Sequence, residues 1–402
     1  MKQLFTILFA LCVGSTLSAQ DRVEWRFDRT GHYSKETGLL KSWPPKGPEL
    51  LWHFEGLGDG YTSISIDHNK IFVTGITDGK GYLYVLNLQG KLLNKVDFGK
   101  EWDSDGYIGT RSTVIPNDGK LYVVNGNAEL FCFDENSLKL LWKKDYIKEY
   151  AAENTKHGWH GPPLIVGEKL IIAPGGKMHN VVALNKNTGK TIWTSKGADV
   201  MSGYGVPIYI GDQSVPQIAI MMSHFIIGLD AATGQMLWSH PHTNRFGEHP
   251  NTPIYSNGLL FGMSSYGKGS VMLQLTDGGK QVKKVYDLPQ IGHQMGHVLK
   301  FGNYVYGSGQ RTTWYCADWK TGKIMYESKD LAAGNIISAD GMLYILSDKG
   351  EMALVKPNSQ KLDLVSKFSV TLGTGPFWTH PVIYNGVLYI RHGDALMAYK
   401  IK

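Results

Sequence analysis

The chemistry-bearing residues of this chain are unevenly placed. Of 14 histidines, seven fall in or just before a series of short Gly-rich or polar segments: His157, His160, His242, His249, His293, His297 and His380. The same segments supply Tyr61, Arg111, Trp159, Tyr204 and Trp378, with Asn251 and Asn335 beside them. A neutral imidazole can hydrogen-bond, move a proton near neutral pH or ligate a metal. Aromatic rings stack on flat or sugar-like molecules, and Arg111 attracts an anion. Convergent groups of this kind are what a ligand pocket needs. Three chemistries stay open. One is an organic-ligand pocket, for a sugar for example. A second is a divalent metal site, for which His160, His249 and His293 are the candidates. The third is a set of loop histidines that only seal one end of the fold. General-base candidates exist in His160, His249, His293 and Glu248, but no catalytic partner can be assigned without geometry.

The elements that must position these residues repeat. Ala183-Leu-Asn185-Lys-Asn-Thr188-Gly189-Lys-Thr-Ile-Trp193 recurs as Gly228-Leu-Asp230-Ala-Ala-Thr233-Gly234-Gln-Met-Leu-Trp238. Looser copies run from Cys132 to Trp142 and from Cys316 to Tyr326. Each reads as an apolar strand, an Asp/Asn-x-x-Thr-Gly turn and a strand ending in a large aromatic. The Asp or Asn can accept from backbone donors two residues on, and Gly supplies a positive φ. From residue 56 the unit returns every 40–50 residues or so, the period of propeller blades. Eight apolar second strands can be counted, from Ile71–Val73 to Leu388–Ile390. The eighth unit stops at Lys402 without an outer strand, while Glu49–Phe54 is an outer strand with no blade before it. The expectation is an all-β, eight-bladed propeller of four-stranded antiparallel blades, closed by that N-terminal strand. Trp52, Trp142, Trp193, Trp238 and Tyr326 are then blade-docking residues. Aligning the blades puts Tyr61, Arg111, His160, Tyr204 and Trp378 at one ring position, with Trp159, His249 and His293 one residue earlier.

Composition agrees with many short strands: 48 Gly and 11% aromatic residues. The formal charge of +6 is spread along the chain, with no Lys/Arg block of the kind that binds nucleic acid. Residues 1–19 read as a secretory signal, with Lys2, the apolar run Leu4–Val13 and a small-residue region ending at Ala19. Leu11 stands where a lipoprotein signal at Cys12 would need a small residue. No later run approaches the length of a membrane-spanning helix. An exported, periplasmic or secreted monomer is expected. Cys132 and Cys316 occupy equivalent places in two units, so they should be apart and buried rather than bridged. Residues 20–48, rich in Pro with Trp25, Phe27 and Trp43, read as an ordered arm packed on the propeller at 49–402.

The Ala-x-Asp-x-x-Thr-Gly-x-x-x-Trp pattern resembles the tryptophan-docking motif of pyrroloquinoline-quinone (PQQ) propellers, over roughly residues 49–402. Trp25-Arg-Phe27, Gly38–Lys41 and Trp43-Pro are similar to the N-terminal arm of exported bacterial PQQ-like repeat proteins. The resemblance implies one of two branches: quinoprotein alcohol dehydrogenases, or a non-enzymatic branch exemplified by the propeller lipoprotein of outer-membrane β-barrel assembly. The chain departs from the enzymes in having no adjacent Cys-Cys pair, no Cys-x-x-Cys-His and no evident acidic Ca²⁺ cluster. The leading expectation is a binding or scaffold protein for a small-molecule or carbohydrate ligand, or for a periplasmic or outer-membrane protein. The alternative is a quinoprotein-like or metal-dependent enzyme.

Overall fold

The computed structural model describes residues 22–402 apart from 104, 105, 154 and 311. The signal-like segment 1–19 and Gln20 lie outside the described residues.

Eight antiparallel sheets follow one another along the chain. Blade 1 runs from Ser65 to Lys100 and blade 2 from Ile115 to Asp145. Blade 3 spans Leu164 to Ser195, and blade 4 spans Ile208 to Pro241. Blades 5, 6 and 7 begin at Ile254, Leu299 and Gly334. Blade 8 takes three strands between Val382 and Lys400, and its outer strand is Glu49–Phe54, antiparallel to Ala395–Lys400. The two ends of the propeller thus share one sheet, and the ring closes.

Strand composition follows from position. Second strands such as Met342–Ser347 are buried along their whole length, because neighbouring blades cover both faces. Outer strands alternate, as Thr191–Ser195 does, with one face to solvent. In every blade the outer strand slips register near its start, and in blade 1 it slips again near its end. The bulge re-aims the next side chain, which in six blades is the docking Trp or Tyr. Asp230 Oδ1 accepts from the amides of Ala232 (2.7 Å) and Thr233 (3.0 Å), and Gly234 follows at φ +77. A Cβ at Gly234 would lie 2.5 Å from the Trp193 ring of the preceding blade. The turn glycine is therefore needed twice, for its dihedral and for the ring laid over it. Trp142 sits likewise over Gly189, and Trp52 over Gly90 with its Nε1 on the Leu88 carbonyl at 2.8 Å.

Trp238 departs from this pattern. It packs over Gly228 of its own blade, and its Nε1 donates to Gln217 Oε1 at 2.6 Å. Gln217 Nε2 then reaches the Gly279 carbonyl of blade 5. Blade 5 carries a 3₁₀ turn, Asp277–Gly279, where its neighbours carry Thr-Gly, so the fastening passes through Gln217. Tyr326 is buried among blade 7 residues such as Leu343 and Ile345. Cys132 and Cys316 are free and buried, and burial pushes both thiols up to about 12.

The arm is more than a packed strap. Residues 22–29 enter the central channel and touch all eight blades. Arg22 donates to Pro116 O of blade 2, and Val23 pairs with Ile66 of blade 1. Trp25 Nε1 donates to Thr252 Oγ1, just before blade 5, at 3.1 Å. Arg29 reaches the carbonyls of Pro163 (2.6 Å) and Pro207 (3.2 Å), at the entries to blades 3 and 4. Arg26 reaches Val298 O (3.0 Å), Ile336 O (3.2 Å) and His380 Nδ1 (3.1 Å), at blades 6, 7 and 8. The chain then turns back, and His32–Tyr33 adds a short parallel strand to Gly334–Ala339. Arg26, Phe27 and Arg29 all have positive φ, a strained run of non-glycine residues that persists only where its surroundings over-determine it.

Candidate functional site

The plug makes the channel a cup. Above Trp25, at the end where the inner strands are entered, lies a cavity of about 170 Å³. Tyr61, Tyr107 and Trp378 form one wall, with ring centroids 4.9 Å (Tyr61–Trp378) and 5.2 Å (Tyr107–Trp378) apart. His160 stacks flat on Tyr204 across the cavity, at 4.2 Å and 10°. Glu248 and His157 complete that side, 3.4 Å apart, and Tyr266 donates to Glu248 Oε2 at 3.0 Å. The floor is a cluster of Trp25, His297 and His380, each ring edge-on to the next. Arg111 stands at the side, 5.9 Å from the Tyr61 centroid, and donates to the Gly109 and Tyr107 carbonyls.

The shared ring position thus brings Tyr61, Arg111, His160, Tyr204 and Trp378 round one cavity, and His297 and His380 join them. The residues one step earlier do not line it. Trp159 is buried against Tyr146. His249 is fully buried and donates from Nε2 to the Ser223 carbonyl at 3.0 Å. His293 accepts from the Gly296 amide on Nδ1 and donates from Nε2 to Asp348 at 2.9 Å. One step along extended backbone turns a side chain to the other face. Asn251 and Asn335 are also buried in the walls. Each uses its amide to bridge to the next blade's loop, at Gly296 O for Asn251 and at Trp378 O and Thr379 O for Asn335.

His160, His249 and His293 therefore do not converge, and the expectation that they share a metal is corrected. Among the described residues, the group of three that does come within ligand distance is Asp67, His68 and Glu135, at strand ends and turns at the opposite end of the ring. There Glu135 already pairs with His68 (3.2 Å) and Lys70 (3.4 Å).

Burial dominates the electrostatics. His160, His297 and His380 are held well below the ordinary imidazole range, first by desolvation, then by neighbouring cations. His242 falls to about 3 and His249 to about 4 for the same leading reason. All five are neutral at physiological pH.

Several cavity residues gave no periodic signal. Trp25 comes from the arm, and Tyr107, Gln294 and Met295 from entry loops. Their place depends on the arm entering the channel, which no local spacing encodes.

A family model described as outer membrane protein assembly factor BamB matches residues 79–328. The chain belongs to this family. Quinoprotein ethanol dehydrogenase of Pseudomonas putida is 27% identical over 161 residues, 36% of this chain and 26% of that one. A 1-butanol dehydrogenase (quinone) of Thauera butanivorans is 26% identical over 166 residues, 36% of this chain and 26% of that one. The matched stretch spans about a quarter of those dehydrogenases' length. BamB from Moraxella catarrhalis aligns with a TM-score of 0.65 at 15% identity, covering 88% of this chain and 99% of that structure. A europium-containing methanol dehydrogenase aligns at 0.66 with 13% identity, covering 93% and 90%. At these identities the structural likeness is one of fold.

The cavity's donor set does not fit the quinone of the family's enzymes. PQQ is a planar tricarboxylate and needs several cationic or N–H partners round its edge. Here the imidazoles are neutral, Glu248 adds a carboxylate to the wall, and Arg26 spends its Nη groups on Ile336, Val298, Thr30 and His380. Arg111 is the one cationic side chain on the cavity wall itself among the described residues.

Proposed function

We propose that this protein is an exported ligand-binding propeller that holds a small polar organic molecule in the cup above Trp25. The carrying observation is the cavity itself: a closed floor, an aromatic wall of Tyr61, Tyr107 and Trp378, and polar groups opposite. Most of the enclosing surface is apolar ring, which suits stacking, while a few polar atoms are placed to orient the ligand. Propeller loops on a rigid ring are well suited to this, because binding residues gain precision from the scaffold beneath them. Family membership supports the reading at the level of fold, and fold alone does not name a ligand.

A second reading, a protein-interaction scaffold, draws on the rim. Tyr107, Ile108, Met201 and Phe246, all on loops entering inner strands, are exposed large apolar side chains. Such a rim suits a partner seated over the mouth.

The test uses the chain from Gln20 onward. Thermal melts against a panel of sugars, sugar acids and small ring carboxylates should find compounds that raise the midpoint. Added PQQ with Ca²⁺ should leave the absorbance of both components unchanged at tens of micromolar. A panel with no stabilising compound would remove the pocket reading and leave the rim. A quinone spectrum that shifts on saturable binding would restore the dehydrogenase alternative.

A further inference from the structure

The floor of the cup has an unusual electrostatic construction. Arg26 is 1% exposed, and no carboxylate lies within ion-pair distance of it among the described residues. Its guanidinium can only donate. The contact from Arg26 Nη1 to His380 Nδ1, 3.1 Å, therefore fixes Nδ1 as the acceptor, so the His380 proton sits on Nε2. That Nε2–H has no hydrogen-bond partner among the described residues, and it is absent from the polar atoms sealed away from solvent. It opens onto the cavity that His380 lines. Beside it, His297 Nδ1 is buried with no partner. The floor thus presents a donor that cannot turn into an acceptor, with an unpaired buried cation directly behind it. A buried charge is costly unless something of opposite sign approaches it.

We infer that the ligand of this cup is a sugar acid: a saturated, hydroxylated ring whose carboxylate rests on His380 Nε2–H with Arg26 behind. This rests on the pocket reading above and names its ligand class. Each wall has a matching part. The Tyr61, Tyr107 and Trp378 rings offer a face for the C–H surface of a pyranose. Across the cavity, Glu248 accepts from hydroxyls, and Gln294 and His157 lie within the same lining. The single floor donor, with the buried Arg26 cation behind it, seats one carboxylate. A neutral sugar leaves the floor donor with a weaker acceptor. Arg26 acts through His380 and is a positioning residue.

The test is calorimetric titration of the chain from Gln20 onward with D-glucuronate, D-galacturonate, D-glucose and D-galactose. At least one uronate should bind 10-fold or more tightly than its neutral counterpart, the scale of a charge-assisted hydrogen bond against a neutral one. His380→Phe keeps a ring of similar size and removes the donor, so it should erase that preference while weak neutral-sugar binding persists. Tyr107→Ala, on an exposed loop, should weaken uronates and neutral sugars alike. Equal affinity for uronate and neutral sugar in the unaltered chain overturns the inference and leaves the pocket reading standing. Absence of binding by all four sugars, with other ring compounds still raising the melting midpoint, also overturns it. Silence from every compound in both experiments overturns both readings.

Discussion

An imidazole sealed among rings is expensive to charge, and five such groups gather at this mouth: His160, His242, His249, His297 and His380. Each is depressed in the folded chain from the ordinary 6.5. The unfolded chain therefore binds more protons as pH drops below about 6.5, and stability falls with falling pH through that window. Each unit of depression corresponds to about 1.4 kcal/mol. Glu101 opposes them. Burial raises it to about 7 despite bonds from the Trp102 and Gly126 amides, so it favours the fold between about 4.5 and 7 as pH falls. Five groups outweigh one, and the melting midpoint should drop steadily from pH 7 to pH 4.5. A flat profile over that range would show that the imidazoles are solvated. At this scale the sequence told which loops line the cavity, and blade alignment told which residues share a ring position. It did not separate those facing the cavity from His249, His293, Asn251 and Asn335 in the walls. That choice turns on a single step of backbone at each loop, set by contacts such as His293 with Asp348 that join residues far apart in the chain.

The hairpin is the element that carries the ring. Its Asx turn, its glycine and the bulge before its aromatic act together to fasten one blade to the next where all three are present, as Trp193 does over Gly234. Gly234→Ala should cost about 2–4 kcal/mol, adding a positive-φ penalty to a clash with Trp193. The midpoint of denaturant unfolding would report it, with little change in slope. A loss under about 0.5 kcal/mol would mean that Trp193 has room to move away. This part of the structure was legible in advance because it is local. Periodic apolar runs, Thr-Gly turns and the orphan strand Glu49–Phe54 specify eight closed blades. The detour of Trp238 through Gln217 was not legible, since it answers a turn in the neighbouring blade.

For the molecule as a whole, the decisive feature is that the channel is filled from within by the chain's own arm. Trp25 is nearly buried, is bonded to Thr252, and forms the floor between His297 and His380. Trp25→Ala should destabilise the fold by about 3–5 kcal/mol, the usual cost of deleting a buried aromatic. It should also deepen the cavity and abolish ligand stabilisation. Sequence reading placed an ordered arm on the propeller, yet nothing in residues 20–48 says that Arg22 to Arg29 reach all eight blades. That follows only from closing the ring to a size that the arm fills. The central claim is that this floored cup binds ligand while the repeated hairpins only build it. It is tested most directly by melting the unaltered chain and a Tyr61→Ala/Trp378→Ala variant with and without the best stabilising ring compound. The account predicts a midpoint rise of about 2–4 °C at saturating ligand in the unaltered chain, from about 2–3 kcal/mol of linkage, and no rise in the variant. An equal rise in both would place binding elsewhere and contradict it.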